Sequence, residues 1–237
     1  MRQGPREPGW LASAYGPRRY GVLFYTLLLT LGAGPLLAAL RFSTDLLQIL
    51  LVFSLLAALL GVPGQRWRLF LMLLAAVAVG VRAAPTSAVG EEVATGALVA
   101  VGGIALLAAA SAIRFAMRDR VVDAEHLYAA LSAYLLAGLC FGVLHWAIDN
   151  AWPGSFGEVG AAGTGAGFSL PTAIYFSFVT LATLGYGDVV PKTEMARGVA
   201  LLEAVGGQLY VAVMIARLVG AQLQRPGDPP SRPRAEG

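Results

Sequence analysis

Cysteine is nearly missing from this chain. Cys140 stands alone among 237 residues, so neither an intrachain disulfide nor a cysteine-rich metal cluster can form. Histidine is almost as scarce: His126 and His145 are the two present, and they lack metal-ligand spacing. No nucleophile–base arrangement accompanies them, so the residues offer no basis for an enzyme. Charge is thin as well. Asp, Glu, Lys and Arg make up 13% of the chain, against about 25% in an ordinary soluble domain. A net charge of +3 in a soluble protein would point toward nucleic acid. Here the arginines stand between apolar runs, so membrane topology accounts for them and no nucleic-acid partner is expected.

What is abundant is apolar sequence, at 57% of residues. Several runs reach roughly 18–21 residues with few charges, the length a helix needs to cross a bilayer. The expected fold class is an all-α membrane protein with six transmembrane helices. An irregular cytoplasmic arm covers 1–19 and a four-span membrane domain 20–120, with spans near 20–40, 46–60, 69–81 and 93–113. A further membrane domain follows over 121–223 and a disordered cytoplasmic tail over 224–237. The first run is preceded by arginines but is too long for the apolar part of a secretory signal. Within the last domain a fifth span covers about 126–148, a Gly-rich loop 150–167 and a sixth helix about 195–223. Between them, Ser169 and Pro171 open a helix over about 170–182, with Ser169 as its cap. That helix is too short to span and reads as re-entrant, which membrane depth permits where protein and water surround it.

It leads into Thr180-Leu181-Ala182-Thr183-Leu184-Gly185-Tyr186-Gly187-Asp188. Gly185 and Gly187 can take left-handed backbone angles without penalty. Carbonyls of Thr183, Leu184, Gly185 and Tyr186 can then face one axis and replace the water shell of a cation. This stretch is similar to the potassium-channel filter signature Thr-x-x-Thr-x-Gly-Tyr-Gly-Asp, with Leu184 where Val is commoner. The chain resembles six-span prokaryotic potassium channels. The resemblance implies a passive potassium-selective channel with K+ bound at Thr183, Leu184, Gly185 and Tyr186, Gly187 closing the strand, and Asp188 at the outer mouth. Thr180 and Tyr175 would support the filter. One pore loop per chain implies a homotetramer in lipid, with potassium as permeating ligand and no cofactor. The alternative is a potassium transporter or a channel accessory subunit, disfavoured because the chain has one intact pore loop and no internal repeat.

The resemblance also exposes departures. Tyr175-Phe176 stand where many relatives have tryptophans, and Val179 where some have a glutamate coupled to the filter aspartate. Tyr175 is expected to supply a substitute donor to Asp188. On the sixth helix, Gly206 and Gly207 are candidates for a gating hinge or for close packing. Glu203 faces either the pore cavity or the back of the filter, and Gln208 is a second polar residue there. His126 and His145 are expected as interfacial side chains flanking the fifth span. In the fourth span, Arg114, Arg118 and Arg120 stand only at one end, so no voltage sensor is evident. The chain is too short after the sixth helix for the large ligand-binding domain that relatives often carry.

Lys and Arg also set the orientation. Thirteen fall on the side of the arm, the second and fourth loops and the tail, and four on the other. Both termini are therefore expected in the cytoplasm of a multi-pass cell-membrane protein, with the filter loop entering from outside.

Overall fold

The computed structural model describes residues 19–39, 56, 58–59, 65–83, 91–118, 123–158 and 168–223. Its helices are α1 (Arg19–Ala39), α2 (Gln65–Ala83), α3 (Glu91–Arg118), α4 (Ala124–Ala151), α5 (Leu170–Leu181) and α6 (Glu194–Leu223). Two short strands, β1 (Phe156–Glu158) and β2 (Val189–Pro191), complete the described secondary structure. Among the described residues, three helical stretches are long and apolar enough to cross a membrane: Val99–Met117, Ala124–Ala151 and Glu194–Ala221. The protein is a helical membrane protein. The span expected over 46–60 falls largely outside the described residues, as do the arm, the second half of the Gly-rich loop and the tail.

α4 is the post on which the rest is hung. Asp123 caps its start, accepting the His126 backbone N–H at 3.0 Å, with the ring Nδ1 2.6 Å from the same oxygen. These two bonds, the backbone one first, hold the Asp123 carboxyl below its ordinary range. One turn of α4 also secures the start of α1, because Glu125 Oε2 accepts the Tyr20 backbone N–H at 3.0 Å. That bond satisfies one of the donors every helix start leaves open.

α3 makes the most extensive packing against α4. The seam is built of small residues, with Ala105, Ala108, Ala112 and Ala116 buried against Ala129, Ala130 and Ala133. Small side chains let two backbones approach closely, which is how helices associate where lipid removes the hydrophobic drive. α1 packs on α4 and α2 on α3. Tyr20, Phe115 and His126 stack in sequence, each pair with centroids 4.7 Å apart, gathering the start of α1, the end of α3 and the start of α4 at one end of the bundle.

The sequence places the end of the fourth span at Ile113, but α3 continues through Arg118, so Arg114 and Arg118 occupy its last turns. A helix does not end where apolar residues do, since arginine is a good helix former. α1 likewise runs on through Pro35. The loop after α4 contains a strand not expected from the sequence. β1 pairs antiparallel with β2, Phe156 opposite Pro191 and Glu158 opposite Val189. Asp149 Oδ1 accepts from Phe156 N at 3.1 Å and so ties β1 back to the end of α4. This two-stranded clasp holds the segment leaving Asp188, and a second apolar cluster (Ile148, Phe156, Phe176, Val189, Ala196, Ala200) packs beneath it.

Candidate ion-conducting site

α5 is seated against α4 by two notches. A Cβ on Gly142 would lie 2.8 Å from the Ile174 Cα, and one on Gly138 would lie 2.6 Å from the Phe178 ring. Both glycines are there because nothing larger fits. Ser169 Oγ accepts the Thr172 N–H at 3.3 Å and caps the helix, with Pro171 in its first turn.

The other end of α5 decides the geometry of the strand beyond it. A helix terminus leaves its last carbonyls without intrahelical partners. Here each finds one. Phe178 O accepts from Ala182 N at 2.9 Å, Val179 O from Leu184 N at 2.9 Å, and Thr180 O from Thr183 N at 3.0 Å. Leu181 O accepts from the Tyr134 hydroxyl of α4 at 3.1 Å, and Ala182 O from Thr183 Oγ1 at 2.7 Å. The next four carbonyls, of Thr183, Leu184, Gly185 and Tyr186, have no hydrogen-bond partner among the described residues.

Those four belong to a strand of alternating backbone hand. Thr183, Gly185 and Gly187 have φ of +58°, +56° and +76°, while Leu184 and Tyr186 between them are not in the left-handed region. This alternation turns successive peptide units so that their carbonyls fall toward one side. Glycine makes it without cost at two positions. Thr183 does not, and a non-glycine residue held there costs about 1–3 kcal/mol. The Val179, Thr180 and Ala182 bonds around it hold it in place. The strand is exposed in a single chain, Tyr186 at 65% and Leu184 at 55%. The C-terminus of α5, which carries about half a negative charge from its aligned peptide dipoles, precedes the strand directly.

At the far end, Asp188 Oδ1 accepts from Val189 N at 3.0 Å and Oδ2 accepts from the Tyr175 hydroxyl at 2.7 Å. The donor expected of Tyr175 from the sequence is thus present, and Phe176 beside it is buried in the apolar cluster instead.

The remaining candidates separate. Glu203 is fully buried and directed toward α4 and α5: its Oε2 lies 2.7 Å from His145 Nε2, and its Oε1 contacts Ser177 Oγ. The interfacial placement expected for His145 is therefore corrected, since the ring is fully buried and flanked by Phe156 and Phe176 edge-on at 5.2 and 5.0 Å. Its Nδ1 has no partner among the described residues. Donation from Nε2 makes Nδ1 the lone-pair nitrogen, which avoids an unpaired buried N–H and its cost of about 1–3 kcal/mol. His126 is also buried, in the stack at the other end of α4. Gln208 is exposed on α6. Gly207 packs against the end of α5, where an added Cβ would lie 2.7 Å from Leu181 Cδ1, whereas one on Gly206 would meet nothing within 4 Å. Ser177, His145, Tyr134 and Gly138 were not singled out for this site by sequence. The visible sign was Ser177, set among the large apolar residues Phe176, Phe178 and Val179 of a short helix.

Residues 129–223 match the family model described as "Ion channel". This segment is thus similar to ion channels over well under half of the chain. The chain is 35% identical over 97 residues to the inward rectifier potassium channel Kirbac3.1 of Paramagnetospirillum magnetotacticum, covering 39% of this chain and 28% of that protein. It is 34% identical over 86 residues to two pore potassium channel c of Oryza sativa subsp. japonica, covering 36% of this chain and 17% of that one. The voltage-gated potassium channel Kch of Escherichia coli is 40% identical over 52 residues, 22% of this chain and 12% of its own. The chain spans less than a third of the length of each of these curated relatives. No solved structure matches it. The ion channel segment begins within α4 and ends with α6, so it takes in α5, the strand of free carbonyls and the clasp.

Proposed function

We propose that the chain forms a potassium-selective channel that passes K+ down its gradient, as a passive conductor and not an enzyme. The observation that carries this is the run of four unpartnered carbonyls, Thr183 to Tyr186, on a strand of alternating backbone hand. Carbonyls that the chain itself leaves unpaired on one side of a strand are free to replace the water shell of a cation shared among several such strands. One strand cannot surround an ion, so four copies do so about a fourfold axis, a closed cyclic homotetramer. The apolar face of α6 supports that assembly: Leu201, Leu202, Val205, Leu209 and Val213 are exposed in a single chain, Leu202 at 70%. In the tetramer these residues meet neighbouring copies, lipid or the ion pathway. Potassium is the permeating ligand, no cofactor takes part, and the channel lies in the cell membrane with both termini cytoplasmic. Conduction is not voltage-gated.

The full chain reconstituted in liposomes tests the reading. A reversal potential that follows the potassium gradient and ignores sodium is expected, and Gly185→Ala, which forces a side chain onto φ +56°, abolishes it. A slow, saturable, coupled flux from the unaltered chain would refute it.

A further inference from the structure

Glu203, His145 and Ser177 are all fully buried, and each comes from a different helix of the pore segment. Glu203 is on α6, Ser177 on α5 and His145 on α4, and the carboxyl group touches both of the others. Ser177 Oγ also lies 2.7 Å from Gly138 O, which returns the chain of contacts to α4. The cluster sits at a defined distance from the free carbonyls. One turn beyond Ser177 on α5 is Leu181, and one turn beyond Glu203 on α6 is Gly207. These two are the pair already in close contact, so a polar rung and an apolar rung join α5 to α6 just ahead of Thr183. On its other side α5 is held to α4 by Gly138, Gly142 and the Tyr134–Leu181 bond.

A leucine would pack between three helices without the desolvation that a carboxyl group suffers there. What the carboxyl adds is direction: hydrogen bonds fix register and rotation, which apolar contact does not. We propose that Glu203 is a positioning residue for ion selection, locking α5 in rotation and height against α6 and α4 so that the Thr183–Tyr186 carbonyls keep the spacing that distinguishes K+ from Na+. It touches no ion and acts through Ser177 and the end of α5. The inference rests on the reading of Thr183–Gly187 as a filter, and it adds a determinant of selectivity on the inner helix.

Glutamine at 203 separates geometry from mere filling. Ser177 has one hydroxyl proton and two oxygens to serve, Gly138 O and Glu203 Oε1. In Glu203→Gln the amide NH2 donates to Ser177 Oγ, the hydroxyl donates to Gly138 O, and the amide oxygen accepts from His145. The full chain and its variants are reconstituted in liposomes, with tetramer assembly followed by size and the K+/Na+ permeability ratio read from reversal potentials. Glu203→Gln is expected to stay within about twofold of the unaltered chain, whereas Glu203→Leu loses about tenfold in the ratio, the scale of one hydrogen bond's worth of discrimination. Ser177→Ala, which removes an oxygen without adding bulk, is expected to lower the ratio while leaving the tetramer intact. It keeps the test decisive if the leucine variant does not assemble. Selectivity unchanged in an assembled Glu203→Leu or in Ser177→Ala overturns the proposal, and so does a Glu203→Gln channel as unselective as Ser177→Ala. If the unaltered chain itself fails to select potassium, the filter reading fails instead, before any variant is compared.

Discussion

At the scale of single residues, Asp188 at the end of the carbonyl strand is held by a side-chain bond that this sequence makes in its own way. The Tyr175 hydroxyl, a turn and a half before the end of α5, reaches Asp188 Oδ2 at 2.7 Å. Water competes for an exposed bond of this kind, so its weight is in orienting the carboxyl group more than in overall stability. Tyr175→Phe removes the donor and leaves the ring. The expected outcome is a channel that assembles normally and closes at its filter several-fold faster during sustained activity, measured by single-channel recording. Unchanged filter kinetics and selectivity would show that the bond is incidental. The pairing was legible in the sequence because both partners lie near the signature and the residues usual there are missing. The positive φ of Thr183 was not, since nothing in a threonine announces a left-handed backbone and only the helix end around it imposes one.

At the scale of elements, the same distinction between local and distant information recurs. The bounds of α5 could be read from Ser169, Pro171 and the glycines beyond its end, because caps and breakers act within a turn. The clasp of β1 and β2 could not, since three-residue strands carry no periodicity and form only when the chain returns from Asp188. Nor could the buried cluster of His145, Ser177 and Glu203, whose members are far apart in sequence and whose meeting depends on how three helices pack. Packing also divides Gly206 from Gly207, which the sequence could only treat together. Gly207→Ala drives a methyl against Leu181, one residue before the turn into the carbonyl strand, and overpacking of this kind costs about 1–3 kcal/mol, only partly offset by the gain in helix propensity of up to about 1 kcal/mol. Gly206→Ala meets no such neighbour within the chain and gains up to about 1 kcal/mol in helix propensity. Gly207→Ala is therefore expected to lower the thermal stability of the purified protein and disturb selectivity. Gly206→Ala is expected to alter open probability alone, by stiffening α6 where it would bend. Equal effects of the two on both readouts would return them to a single shared role.

At the scale of the whole molecule, α3 is the described helix before α4 whose last turns carry two arginines, and physics argues against its working as a voltage sensor. A charge carried through the full membrane potential exchanges about 2.3 kcal/mol per 100 mV, so steep gating needs several charges inside the field. α3 has no charged residue from Val93 through Ile113, and its arginines begin at Arg114, where the helix is already within its last turns. Arg114 is exposed, and its neighbour Phe115 is pinned between Tyr20 and His126 in the stack that joins α3 to α1 and α4. A helix fastened in this way, with its Ala seam closed against α4, has neither the charge nor the freedom to slide. The structural role that remains for it is as a brace for α4, whose position in turn sets Gly138, Gly142 and Tyr134 against α5. Conductance should therefore change little with voltage, and Arg114→Gln should leave the shallow curve where it was. Phe115→Ala should instead loosen the brace, lowering thermal stability by about 3–4 kcal/mol at most for a half-buried ring while voltage dependence stays flat. A steep conductance–voltage relation that Arg114→Gln flattens would mean that α3 moves in the field after all, and the brace would have to be read as a sensor.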